Sequence, residues 1–235
     1  MFLSGTLLNA TTVLVGGLIG TRLGAKLPER LRANVVRGLG MFTIVLGIQS
    51  AIQTQNVIIL LFAILLGGLA GSALSLDARL KAIGDALQRR FAAKGGRVSE
   101  AFVTTSIVFC VGPLTFLGAI QNGISGDARL LTIKSVLDGF AALAFAASLG
   151  WGVLLSVITI LVYQGALAAG ASLFAHALTD PMIQEMSSAG GVLVMGVGLR
   201  LLEIKDVQVA DFLPAIVIAP AIVAVLVAVG LPLTP

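Results

Sequence analysis

LTIKSVLDGFAALAFAASLGWG, residues 131–152, is an apolar stretch that carries two charged residues, Lys134 and Asp138. It is long enough to cross a membrane, because about 20 apolar residues of helix span the hydrocarbon core of a bilayer. Four residues apart on a helix, the lysine and the aspartate share a face and can pair. An ionisable side chain in hydrocarbon costs about 2.5–3.5 kcal/mol on insertion scales, so it usually faces a partner or a watery cavity. The pattern predicts an intramembrane site; the alternative is a structural pair that holds two helices together.

The composition indicates that most of the chain lies in a membrane. Of its 235 residues, 57% are hydrophobic and 11% are charged, whereas a soluble domain carries about 25% charged residues. The net charge of +4 comes from basic residues in short loops, so we expect no nucleic-acid partner. The single cysteine, Cys110, excludes an internal disulfide. The expected fold class is therefore an all-α polytopic membrane protein.

Eight apolar runs predict eight transmembrane helices, because an open strand cannot satisfy its backbone groups in lipid. The runs cover residues 4–24, 35–53, 56–76, 101–122, 131–151, 153–175, 183–202 and 210–231. The loops 22–37 and 77–100 are rich in Lys and Arg, which marks the cytoplasmic side and predicts that both termini lie outside. Within the second loop, residues 77–97 fit either an amphipathic helix on the membrane surface or an extension of the third helix.

In each of two pairs of segments, one member resembles the other, and together the two pairs predict an inverted repeat. RGLGMFTIVLGIQSA (37–51) aligns with SAGGVLVMGVGLRLL (188–202), and residues 106–123 align with residues 135–152. Spans one to three then match spans six to eight, and span four matches span five. Each match shifts by an odd number of spans, which reverses the orientation, as in secondary transporters. The alternative is chance similarity between Gly-rich apolar helices.

The predicted organisation is one transmembrane domain over residues 1–235. The first repeat covers residues 1–76 and 101–122, a cytoplasmic linker covers 77–100, and the second repeat covers 131–235.

Gly112-Pro113 predicts a break in the middle of the fourth span, because proline removes a backbone donor. Asp138-Gly139 lies at the equivalent depth of span five, and two interrupted helices in corresponding positions favour a transport site. The alternatives are a packing kink and, for each polar residue alone, a hydrogen bond between helices. Asn9 and Gln164 occupy roughly matching repeat positions. The residues predicted to bind a substrate or ion are Asp138, Lys134, Asn9, Gly112, Pro113, Thr115, Gln121, Asn122 and Gln164.

Nothing in the sequence favours an enzyme. The only histidine, His176, falls in an expected external loop, and neither a Walker-type loop nor a metal-ligand motif is present. We therefore expect no catalytic activity and no cofactor.

Several stretches together resemble a bacterial membrane family known as domain of unknown function 554. They include GTLLNATTVLVGGLIG, VGPLTFLGAIQNGISGD and KSVLDGFAALAFAASLGWGV, and the likeness covers nearly the whole chain. The resemblance implies an inner-membrane location and transport as the general class, without a substrate. A weaker likeness is to the manganese-efflux family of the lysine-exporter superfamily, through Leu137-Asp138-Gly139. A divalent-ion site needs several oxygen ligands, however, and Asp138 is the one acid that lies well inside a span rather than near its end.

Three functions follow as hypotheses. The first is a secondary transporter of a small solute or ion, coupled to a cation or proton through Asp138 and Lys134. The second is a passive channel lined by the same residues. The third is a membrane scaffold that transports nothing. The expected partners are the lipid bilayer and a small solute or ion, and a homo-oligomer is left open.

Overall fold

The computed structural model describes residues 3–26, 28–90, 98–110, 113–171 and 178–233, and it confirms an all-helical fold without strands in that part. The helices are α1 (Ser4–Gly24), α2 (Glu29–Ala51), α3 (Val57–Ala73), α4 (Leu76–Arg90), α5 (Val98–Cys110), α6 (Pro113–Ser125), α7 (Arg129–Leu149), α8 (Ser156–Ala169), α9 (Asp180–Leu201) and α10 (Ala215–Val229). Short 3₁₀ turns at Trp151–Leu155 and Val209–Phe212 precede α8 and α10.

Six of the described helical segments are long and apolar enough to cross a membrane, and eight are reached when two bent helix pairs each count as one span. The first bent pair joins α3 to α4 at 55°. The second joins α5 to α6 at 62°, which agrees with the predicted break in the fourth helix. The eight transmembrane helices predicted from the sequence therefore match the larger of these two counts, in which each bent pair is one span.

The third helix ends earlier than the apolar run suggests. α3 stops at Ala73, and Ser75 has a positive φ of 52°, which an ordinary helix residue does not adopt. α4 then leaves in a new direction. The basic segment 77–97 is thus a separate helix up to Arg90 rather than a straight extension of α3, and residues 91–97, with Lys94, lie outside the described part.

The chain forms two compact units. The first contains Met1–Leu39, Lys81–Cys110 and Leu114–Ala175, and the second contains Gly40–Leu80, Val111–Pro113 and His176–Pro235. The first unit therefore holds α1, α5, α7, α8 and nearly all of α6. The second holds α3, α9, α10 and the second half of α2.

In the second unit, a buried acid fixes the start of α3. Glu185, in α9, is 1% exposed. Its carboxylate accepts bonds from the Gln55 and Asn56 backbone N–H groups at 2.7 and 3.2 Å, and from the Thr54 hydroxyl at 2.7 Å. These donors satisfy the charge, and no basic side chain in the described part of the chain pairs with it. A carboxylate at a helix N-terminus also interacts favourably with the helix dipole.

Large apolar side chains are exposed along several helices. Examples are Leu69, Phe140, Val162 and Val217, each at least 67% exposed. An apolar surface of this kind is expected where lipid, rather than water, covers the protein.

Candidate functional site

The ion pair predicted from the sequence is formed and buried. Lys134 and Asp138 lie one turn apart in α7 and are 5% and 8% exposed, and the Lys134 ammonium contacts Asp138 Oδ2. Asn9 in α1, which is fully buried, donates from its Nδ2 to the same oxygen at 3.0 Å. One carboxylate oxygen thus takes a charged donor and an amide donor. The helix pair contributes three of the predicted residues to one cluster.

Close packing of α1 on α7 brings Asn9 to the pair. Gly16 and Gly20 lie so near α7 that a Cβ at either position would overlap a backbone carbonyl oxygen, of Gly139 and Leu143 respectively. The contacts advance by four residues on both helices, so the helices run parallel and in register. Small residues at a spacing of four permit this approach inside a membrane.

The break in the fourth span lies level with Asp138. Before the break, the Phe109 ring packs edge-on against Phe145 in α7, with 6.4 Å between ring centroids. After it, Gly118 packs on the Leu131 side chain, where a Cβ would come within 2.9 Å. Asp138 is seven residues from Leu131 and seven from Phe145. It therefore sits midway between the two contacts, at the height where α5 gives way to α6.

Thr115 supplies a hydrogen bond that proline removes. In a continuous helix the Phe109 carbonyl would accept from the residue four positions later, but that residue is Pro113, which has no N–H. Thr115 is 1% exposed, and its hydroxyl donates to the Phe109 carbonyl oxygen at 3.2 Å. Thr115 thus bridges the break. Pro113 is the first residue of α6, and Gly112 lies outside the described residues.

The remaining amides of the fourth span have different surroundings. Asn122 is fully buried, and its Oδ1 accepts from the Gly5 backbone N–H at 3.1 Å while its Nδ2 donates to the Ser4 hydroxyl at 3.2 Å. It caps the start of α1. Gln121 is exposed and donates to Asp127 at 3.3 Å, so the structure does not bring it to the buried cluster.

Gln164 is fully buried in α8, and neither polar atom of its carboxamide has a hydrogen-bond partner among the described residues. The Oδ1 of Asn9 and the hydroxyl of Thr6 are also buried and unpartnered in the described part. Thr6 was not among the residues predicted from the sequence. Thr6 lies three residues before Asn9 and therefore shares its helix face, and this spacing could have identified Thr6 as a candidate from the sequence.

A metal site has no support from the described side chains, where no group of three or more His, Cys, Asp or Glu residues is placed to hold an ion. The manganese-efflux likeness stays a prediction. His176 lies outside the described residues.

Apolar helices with lipid-type surfaces and a buried ion pair define the class: a multi-pass membrane protein. The chain belongs to the family described as "Protein of unknown function (DUF554)", which matches residues 4–224.

Two relatives cover nearly the whole chain. "Uncharacterized protein YqgA" of Escherichia coli (strain K12) is 34% identical over 220 residues, which are 92% of this chain and 94% of the relative. "Uncharacterized membrane protein YdfK" of Bacillus subtilis (strain 168) is 25% identical over 231 residues, which are 97% and 98% of the two chains. No solved structure matches the chain.

Proposed function

We propose that the protein is a secondary transporter of a small solute or ion in the bacterial inner membrane, with both termini extracytoplasmic. The observation that carries the proposal is the buried cluster of Lys134, Asp138 and Asn9, level with a broken helix. Ionisable side chains are expensive inside a membrane and are functional by default. Interrupted helices near the middle of a membrane domain are where transporters bind their substrates.

Each residue of the cluster has a role in this proposal. Asp138 binds the coupling proton or cation, and doing so weakens its bond to Lys134. The lysine is then free to attract the negatively charged or electronegative end of a solute. Asn9 holds Asp138 Oδ2 in place through its amide donor, so the carboxylate keeps its position when the lysine changes partner. Binding of the coupling ion and rearrangement of the pair are thereby linked.

The two compact units support the inverted repeat on which this class of transporter depends. The predicted repeat exchanges span one with six and span four with five, and these four spans belong to the first unit except for Val111–Pro113 in span four. It also exchanges two with seven and three with eight, and these lie mainly in the second unit. Each span and its predicted repeat partner therefore lie mainly in the same compact unit, as a two-fold repeat within each unit requires.

Glycine contacts between α2 and α9 support the same symmetry. A Cβ on Gly40 would lie 3.2 Å from the Gly198 carbonyl oxygen, and one on Gly47 would lie 2.7 Å from that of Gly191. The sequence alignment of 37–51 with 188–202 places Gly40 on Gly191 and Gly47 on Gly198. Exchanging the aligned residues converts the first contact into the second, as a two-fold axis between antiparallel helices requires.

A passive channel and a structural scaffold are the competing functions, and solute accumulation separates them. Purified protein in liposomes is given an inward proton or sodium gradient and a defined mixture of small metabolites, and the lumenal solutes are measured by mass spectrometry. A coupled transporter concentrates at least one solute, and an ionophore abolishes the accumulation. A channel equilibrates solutes without concentrating them, and a scaffold behaves like protein-free liposomes; either result contradicts the proposal.

A further inference from the structure

The carboxamide of Gln164 is the least explained polar group in the first unit. It is fully buried on the face of α8 that also buries Ile160 and Ala168, yet its donor and its acceptor both lack a partner among the described residues. A buried amide without hydrogen bonds is costly, and native proteins pair the great majority of such groups. A side chain of this kind indicates a ligand that completes its bonds.

Contacts on both sides of Gln164 locate it at the height of the helix break. Toward the α8 N-terminus, the Thr159 and Ser106 hydroxyls are 2.9 Å apart. Toward the C-terminus, Gly123 packs directly on the Ala168 backbone. Gln164 lies five residues after the first contact and four before the second. It is therefore level with the junction of α5 and α6, the same height as Asp138.

The Asn9 side chain adds a second unused group beside the ion pair. Its Nδ2 is occupied by Asp138, but its Oδ1 is buried and accepts no hydrogen bond from the described residues. α1, which carries Asn9, packs against α8, which carries Gln164. These two packed helices thus carry one unused donor and two unused acceptors on two buried carboxamides at this height.

The buried charges that lie level with Gln164 and the helix break sum to zero. Lys134 and Asp138 are the buried charged residues among the described side chains of the first unit, and they have opposite signs. A cargo with a net charge that binds while the Lys134–Asp138 pair is intact would add an uncompensated charge to a low-dielectric interior, which is strongly unfavourable. A cargo without net charge leaves the balance intact.

We propose that Gln164 and Asn9 form a subsite for a small polar solute of zero net charge that carries both a hydrogen-bond donor and an acceptor. The inference rests on the proposed transport function and names the cargo class of that site. A zwitterion and a neutral amide both satisfy it, and the coupling ion binds separately at Asp138.

Cysteine accessibility tests the subsite without knowledge of the natural cargo. In a Cys110→Ser background, Gln164→Cys is treated with three methanethiosulfonates that bear hydroxyethyl, trimethylammonioethyl or sulfonatoethyl groups, and modification is followed by intact mass. Ile160→Cys is the matched control, because Ile160 is equally buried on the same face. We expect the neutral reagent to modify Gln164→Cys at least tenfold faster than either charged reagent, and at least tenfold faster than it modifies the control.

Equal rates at positions 164 and 160 would overturn the subsite, because they indicate dry packing. A charged reagent that reacts as fast as the neutral one would overturn the cargo class. Neither result depends on transport, so failure of the subsite is separate from failure of the proposed function.

Gln164→Leu keeps the proposal testable if the cysteine variant does not fold. We expect its thermal stability to equal or exceed that of wild type, because no hydrogen bond to the described residues is lost. With the solute identified by the accumulation assay, we expect the half-saturation concentration to rise at least fivefold. An unchanged value, or a solute with a net charge, would contradict the inference.

Discussion

At the scale of single residues, the bond between Lys134 and Asp138 is the feature on which both stability and the proposed activity depend. Removing one partner of a buried ion pair strands the other charge and costs about 3 to 5 kcal/mol, whereas removing both is often nearly neutral. We expect Asp138→Asn to destabilise the protein, and added Lys134→Gln to restore part of the loss. Unfolding measured on both single variants and the double variant forms a double-mutant cycle. Additive losses would show that the residues do not interact.

The sequence was sufficient to predict this pair, whereas it named Asn9 as one candidate among several without joining it to Asp138. A spacing of four residues on one apolar helix places Lys134 and Asp138 together, because the helix geometry is local. Asn9 is 129 residues from Asp138 along the chain, and no local rule joins them. For the same reason, the sequence did not distinguish the buried carboxamide of Gln164 from the exposed one of Gln121.

Thr115 belongs to the residue scale as well, because it replaces one missing backbone donor. Thr115→Val keeps the side-chain shape and removes the hydroxyl, which leaves the Phe109 carbonyl without its bond. A buried group left unsatisfied costs about 1 to 3 kcal/mol. We expect a loss of that size in thermal unfolding, and Thr115→Ser should retain most of the stability. Equal losses in the two variants would argue against the hydroxyl as the cause.

At the scale of helices, the contact of α1 with α7 limits which residues can replace glycine. Gly20→Ala places a methyl group on the Leu143 carbonyl oxygen, and overpacking of this kind costs about 1 to 3 kcal/mol. Gly165→Ala, in α8, is the matched control, since a Cβ there has no neighbour within 4 Å. Helix propensity makes that change favourable by up to about 1 kcal/mol. Thermal unfolding in detergent should therefore shift in opposite directions, and equal shifts would contradict the packing.

The helix scale also shows what local sequence rules can predict. Glycines at a spacing of four favour close helix packing, and Gly112-Pro113 predicts a break, because both effects depend on backbone chemistry. The partner of α1 and the 62° angle between α5 and α6 depend on the rest of the fold. The sequence left open whether residues 77–97 extend the third helix or form a separate one, because an apolar run does not reveal the positive φ at Ser75.

At the scale of the whole molecule, the basic loops predict an orientation that can be measured. Single cysteines at Leu231 and Arg129 should react with an impermeant maleimide added outside intact spheroplasts. A cysteine at Arg89 should react only after permeabilisation. All three positions are exposed, so side-chain burial does not limit the reaction. The Cys110→Ser protein without an added cysteine is the control, and labelling of positions 89 and 231 from one side would reject the eight-span topology.

The central claim is that the buried pair serves transport rather than the fold, and the double variant Lys134→Gln/Asp138→Asn tests it most directly. Removal of both charges leaves no stranded ion, so the variant should unfold within a few degrees of wild type. Gradient-driven accumulation in liposomes is then compared between the two proteins at equal reconstituted amounts. We predict that wild type concentrates its solute and that the stable double variant does not. A stable double variant that concentrates the same solute as fast as wild type would contradict the claim.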